Sequence, residues 1–125
     1  MLEKVICITL GSIAGGLSRF FLAGWGNRFG NGSFPYGTVS VNLAGCFLIG
    51  FFASLAEEKI PLGVHGKLLL MTGFCGAFTT FSAFILETDQ LLKAGNALAA
   101  FANLSISLIV GYIFFCGGLT LGKNF

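Results

Sequence analysis

Four stretches of this chain are each long and apolar enough to cross a lipid bilayer as a helix, at about 3–25, 36–56, 62–92 and 97–121. A spanning helix needs about 20 mostly apolar residues. In lipid every backbone polar group must be satisfied within the protein, so continuous helices are the economical answer. Short breakers separate the stretches: the turn-rich segment 30–35, then EEKIP at 57–61, then KAGN at 93–96. They leave no room for a soluble domain, and no internal repeat is apparent. Residues 1–125 therefore read as a single four-helix transmembrane unit.

Composition agrees. Hydrophobic residues make up 55% of the chain and charged residues only 10%, where a soluble domain carries about a quarter charged residues. Such a chain cannot cover a water-facing surface. The net charge of +2 is small, and no basic run or acidic tail points to nucleic acid. The apolar run from Val5 to Trp25 is too long for the core of a cleaved signal peptide, and its small residues are spread along it, so a first span fits better. The expected location is the plasma or inner membrane, as a multi-pass protein. Cys7, Cys46, Cys75 and Cys116 each fall inside an apolar stretch with no CxxC pair. They read as small buried hydrophobes.

Four spans put both termini on one side. Lys4, Lys59, Lys67 and Lys123 lie near that side, and Arg19, Arg28 and Lys93 near the other. Lysine and arginine bias sets orientation, and four against three is close to balance. Two readings are open: a weakly oriented protein fixed by other signals, or a chain that inserts both ways and pairs antiparallel about a two-fold axis in the membrane plane. The second would give the symmetry that other transporters take from inverted repeats. A four-helix bundle is filled by its own side chains, so a polar pathway is expected between subunits. Gly11, Gly15 and Gly16 on the first span, and Gly37, Gly45 and Gly50 on the second, allow close helix approach.

Ionisable groups are few. Arg19 falls late in the first span, and Glu87 and Asp89 late in the third. Position near a span end suggests snorkelling toward water. His65, the single histidine, reads as interfacial. No nucleophile–base pair, phosphate loop or metal-ligand cluster appears, which argues against an enzyme. Neutral polar residues stand deeper. Asn42 lies in GTVSVNLAGC, about 9 Å into the second span at 1.5 Å per residue. Its amide serves either as interhelical glue or as an N–H donor to an anion. Thr38 shares its helix face, four residues away. In the fourth span Asn103 and Ser107 have the same spacing, and that polar track ends at Gly111 and Phe115.

The most informative stretch is GFCGAFTTFSAF, residues 73–84, near the middle of the third span. Gly73 and Gly76 weaken the helix, while Thr79, Thr80 and Ser82 offer hydroxyls. Either the helix is unbroken, with its hydroxyls bonded back to their own backbone, or it is broken at mid-membrane. Non-helical backbone is tolerated there only when buried in protein or lining a cavity. In an antiparallel dimer the two breaks would meet at the axis, and their pooled carbonyls call for a monovalent cation as a structural staple. Phe78, Phe81 and Phe84 recur every three residues, and Phe81 with Phe84 can share a face. Such a stripe usually packs a core. An aromatic ring is also positive at its edge, so rings presented edge-on offer weak poles to a small anion.

Three blocks, GGLSRF (15–20), GTVSVNLAGCFLIG (37–50) and GFCGAFTTFSAF (73–84), occur in this order on three of the four spans. With them the whole chain resembles the Fluc, or CrcB, family of fluoride channels. The resemblance implies an all-α integral membrane protein whose third helix is broken, forming an antiparallel dual-topology homodimer that exports fluoride passively and holds a central sodium ion. By that likeness Asn42, Phe81, Phe84, Ser82 and Ser107 belong to the fluoride pathway, and Arg19 and Glu87 are vestibule or structural charges. Gly76 and Thr79 hold sodium through their carbonyls. Ala83 stands where many relatives place Thr. Two other classes compete. A four-span multidrug exporter would require a mid-span carboxylate, and Glu3 is poorly placed for one. In a non-transporting scaffold subunit the polar residues would be glue alone.

Overall fold

A computed structural model of the chain describes residues 1–58, 60 and 62–125. Lys59 and Pro61, counted above in the second breaker and in the charge balance, lie outside the described residues. Four long apolar helical segments are present. Helix α1 is Leu2–Asn27 and α2 is Tyr36–Glu58. The third segment is divided into α3, residues 63–78, and α4, Phe81–Lys93. The fourth is α5, Ala97–Asn124.

The division of the third segment is a local event. Cys75 and Gly76 are still helical, but Thr79 (φ −93°, ψ 161°) and Thr80 (φ −149°, ψ 118°) are extended. The Thr80 hydroxyl then accepts from the Ala83 N–H at 3.3 Å and starts α4 as its cap. The long third helix is thus interrupted at Thr79–Thr80. The winding also departs from the α form twice. Leu68–Cys75 in α3 and Ile106–Val110 in α5 form wide π-type turns, an uncommon geometry frequently found at functional sites.

Small residues set the neighbours. A Cβ added at Gly11 would strike the Leu69 carbonyl, and one at Gly15 the Phe74 carbonyl, so α1 lies directly on α3. Likewise Gly50 meets the Phe115 carbonyl and Gly118 the Phe47 carbonyl, which brings α2 onto α5. With lipid as apolar as the side chains, this close van der Waals contact between backbones replaces hydrophobic burial as the source of association. Gly16 does not take part as expected: nothing lies within 4 Å of a Cβ built there. It sits instead on the wall of a hollow described below.

Polar contacts fix which ends lie together. His65 Nε2 is 3.4 Å from Glu3 Oε2, and Lys123 Nζ is 3.8 Å from Glu58 Oε1. The chain start, the α2–α3 connection and the chain end therefore share one end of the bundle. At the other end Lys93 pairs with Asp89 at 2.7 Å, and Asn96 caps α5 by accepting from the Ala99 N–H. The buried interior is small, with Val39, Val41, Leu55, Cys75, Phe78, Phe84 and Ala100 as its apolar members. Leu, Ile and Phe side chains stand exposed along α1, α4 and α5, as lipid-facing helices require.

Candidate functional site

The interruption at Thr79–Thr80 leaves backbone groups that a continuous helix would have paired. Asn42, reaching across from α2, takes two of them. Its Nδ2 donates to the Thr80 carbonyl at 3.0 Å, and its Oδ1 accepts from the Thr80 N–H at 2.8 Å. The amide thus pairs with one residue's backbone as a neighbouring strand would. Thr79 turns its hydroxyl back to the Cys75 carbonyl at 3.0 Å, and the Thr79 carbonyl receives an N–H from Arg19 at 3.4 Å. Because the Thr80 N–H goes to Asn42, the Gly76 carbonyl loses the donor that a continuous helix would supply four residues on. Gly76 also lies on the exposed side of the chain.

Two hollows flank this point. The first, about 530 Å³, is walled by Asn42 and Cys46 of α2, Cys75 and Gly76 at the end of α3, Phe81 and Phe84 on α4, and Ser107 on α5. Both π-type turns border it, through Met71 and Thr72 on one side and Ser107 and Leu108 on the other. No Asp, Glu, Lys or Arg is among the described residues that line it. Phe81 is 73% exposed and Phe84 only 5%, with ring centroids 5.8 Å apart and planes inclined at 55°. Phe78 belongs elsewhere: it precedes the interruption and stacks on Phe74 at 5.5 Å. The three-residue spacing thus reduces to a pair.

The second hollow, about 550 Å³, lies on the α1 side and mixes apolar residues with polar ones and one charge, Arg19. Gly16, Arg19 and Asn27 of α1, Thr38 of α2, and Thr80 and Ser82 near the interruption line it. Ser82 and the two phenylalanines therefore stand on different hollows, although all three are on α4. Thr80 borders both.

Glu87 departs from the snorkelling expectation. It turns inward, and its Oε1 accepts a hydrogen bond from the Thr38 hydroxyl at 2.7 Å, while Oε2 is buried without a partner. The reason is register. Thr38 and Asn42 face α4 from one side of α2, and Glu87 and Thr80, seven apart, face back. Sequence spacing alone held half of this signal. Asn103, read as one end of a fourth-span stripe, is fully buried and donates to the Thr88 hydroxyl at 2.9 Å. Ser107 Oγ is buried without a partner. Nothing in the spacing of the sequence marks Thr88 as the partner of Asn103.

Among the described residues, no group of three His, Cys, Asp or Glu side chains is arranged to hold a metal ion. A hard cation can instead take backbone oxygens. The Gly76 carbonyl suits this, being short of a donor and exposed, whereas the Thr79 carbonyl is shared with Arg19 over a long contact. Two oxygens are too few to enclose an ion on their own.

The chain resembles known proteins over nearly its whole length. Residues 6–119 match the family described as CrcB-like protein, Camphor Resistance (CrcB). A protein of Maridesulfovibrio salexigens named fluoride-specific ion channel FluC is 39% identical over 98% of this chain and 97% of its own. Its namesake in Solidesulfovibrio magneticus is 42% identical over 98% of each, and that of Trichormus variabilis 44% identical over 94% of this chain and 87% of its own. These relatives are ion channels, not enzymes. With four apolar helices and this continuous likeness, the chain is a multi-pass protein of the cell membrane and belongs to the CrcB-like family.

Proposed function

We propose that this protein is a fluoride-selective channel that lets fluoride leave the cell passively. One observation carries the reading: an uncharged hollow on which Asn42, Phe81, Phe84 and Ser107 converge beside an interrupted helix. The fluoride-specific name of its relatives supports it. Fluoride is small and tightly hydrated, so a pathway must replace its water with several weak donors. Neutral N–H and O–H groups and the positive edges of aromatic rings do this without the tight hold of a lysine, and weak multi-site coordination is what conduction needs. Asn42 has one amide N–H left after its two bonds to Thr80, and Ser107, on the same hollow, has a buried hydroxyl without a partner. Ser82 serves the pathway from the second hollow, where Arg19 raises the local anion concentration. Glu87, outside that lining, is held as a structural charge by Thr38.

Fluoride enters a cell as neutral HF, dissociates at the higher internal pH, and leaves as the anion down its electrochemical gradient. The working unit in this reading is an antiparallel, dual-topology homodimer. Three features support it: the near-balanced charge bias, the exposed Phe81 ring, and the half-complete set of carbonyls at the interruption. Gly76 and Thr79 of both copies would hold a structural sodium ion at the centre, at mid-membrane. When bound, that ion neutralises the mutual repulsion of the converging carbonyls.

Anion efflux from liposomes tests the function. One set is loaded with potassium fluoride and another with potassium chloride, valinomycin is added, and each anion is followed with an electrode. Fast fluoride loss with negligible chloride loss is expected. Absence of fluoride loss from well-folded protein overturns the reading in favour of a scaffold subunit.

A further inference from the structure

A second set of bonds reaches the Phe84 backbone from behind the pathway. Asn103 on α5 is fully buried and donates from Nδ2 to Thr88 Oγ1 at 2.9 Å. The Thr88 hydroxyl donates in turn to the Phe84 carbonyl at 2.8 Å. Thr88 is 7% exposed and Phe84 5%, so the whole relay is sealed from solvent and lipid. A hydroxyl that accepts one hydrogen bond donates the next more strongly, and the single proton of Thr88 has one direction left to point. The relay therefore ties the α4 turn that carries Phe81 and Phe84 to the neighbouring segment α5.

That turn needs such a tie. It begins at the interruption, where the ladder of α3 stops, and its start is held by the Thr80 cap and by Asn42. The tertiary ties among them, and the Thr38–Glu87 bond further along, come from α2. The Asn103–Thr88 bond holds α4 from the α5 side as well, and so resists a roll that would carry the Phe84 ring with it.

We infer that Asn103 and Thr88 are positioning residues that set the orientation of the Phe84 ring through the Thr88 hydroxyl. The assignment of Phe84 to the fluoride pathway comes from the reading above, but the positioning itself does not depend on it.

The test uses the full-length protein with 4-fluorophenylalanine at position 84, in detergent and in liposomes. The ring's fluorine-19 resonance reports its surroundings, and fluoride efflux reports transport. Thr88→Val removes the hydroxyl at nearly constant volume, Asn103→Leu removes the outer donor, and Thr88→Ser keeps the hydroxyl. The expected result is a shifted or broadened resonance and a flux lowered by about tenfold in Thr88→Val. Asn103→Leu should show a smaller change of the same kind, and Thr88→Ser a spectrum and flux close to the parent's. If Thr88→Val fails to fold, Thr88→Ala serves in its place against the same serine control. An unchanged resonance in Thr88→Val overturns the inference, as does a loss in Thr88→Ser equal to that in Thr88→Val, which would make the methyl group the important part. The outcomes also separate the two readings. Should Phe84→Ile leave fluoride efflux intact, the pathway assignment fails, and the resonance still decides the positioning.

Discussion

Replacing Asn42 with alanine tests the link between the interrupted helix and transport. The substitution removes the bonds at 2.8 and 3.0 Å and strands the N–H and C=O of Thr80. A buried backbone group left unpaired costs about 1–3 kcal/mol, which bounds the loss at about 2–6 kcal/mol for the two. The lower end applies. Thr80 is only half-buried, and its N–H can return to the Gly76 carbonyl as the extended residues wind into helix. A loss of about 2 kcal/mol moves the balance between interrupted and continuous helix by about 30-fold. The assay is amide hydrogen exchange at Thr80 and its neighbours, read beside fluoride efflux from liposomes. Asn42→Ala should change exchange at Thr79, Thr80 and Phe81 and lower flux by a comparable factor. Asn42→Asp is the informative partner. It keeps an acceptor for the Thr80 N–H but puts a carboxyl group on an anion's path, so flux should fall while Thr80 stays protected. Exchange at Thr80 unchanged in Asn42→Ala, together with parental flux, would refute the reasoning.

Three further outcomes are expected. Phe81→Ile keeps bulk but loses the ring edge, and should reduce fluoride efflux by up to about tenfold while leaving the oligomeric state in detergent unchanged. Gly118→Ala drives a methyl group into the Phe47 carbonyl and to within 2.8 Å of the Phe51 nitrogen. Overpacking of this kind costs about 1–3 kcal/mol, and thermal unfolding in detergent should register it. Exchanging all sodium for N-methyl-D-glucamine should lower both the dimer fraction on size-exclusion chromatography and the fluoride flux, and the parental flux in sodium-free buffer would remove sodium from the account.

Much of the fold is legible in the residues because hydropathy and length are sufficient cues for a spanning helix. The boundaries found, such as Leu2–Asn27 against an expected 3–25, differ by a turn or less at that helix. The interruption was one of two open readings, because Gly73, Gly76 and paired threonines mark a weak helix without saying whether tertiary partners exist to stabilise a gap. That partner is Asn42, and its pairing depends on how α2 is rotated toward α4, which a period of 3.6 residues does not determine. The same limit hid the bonds of Thr38 with Glu87 and of Asn103 with Thr88. Glu87 was expected to point outward because its distance along the sequence from the span end was the only cue. The π-type turns carry no compositional mark: LLLMTGFC and ISLIV read as ordinary apolar helix. Gly16 misled in the opposite direction, since a small residue marks a hollow as readily as a contact.

The pairing of Asn42 with Thr80 also bears on how the chain is made. Synthesis delivers the N-terminal part first, so α2, with its amide, is available before the two extended threonines leave the ribosome. The segment with the interrupted ladder is thus made after the side chain that pairs with its exposed peptide groups. Asn103, by contrast, is added after α4, so the final setting of that turn waits for the last segment. A circularly permuted gene that placed α2 after α4 would encode the same bundle and lose that order of arrival.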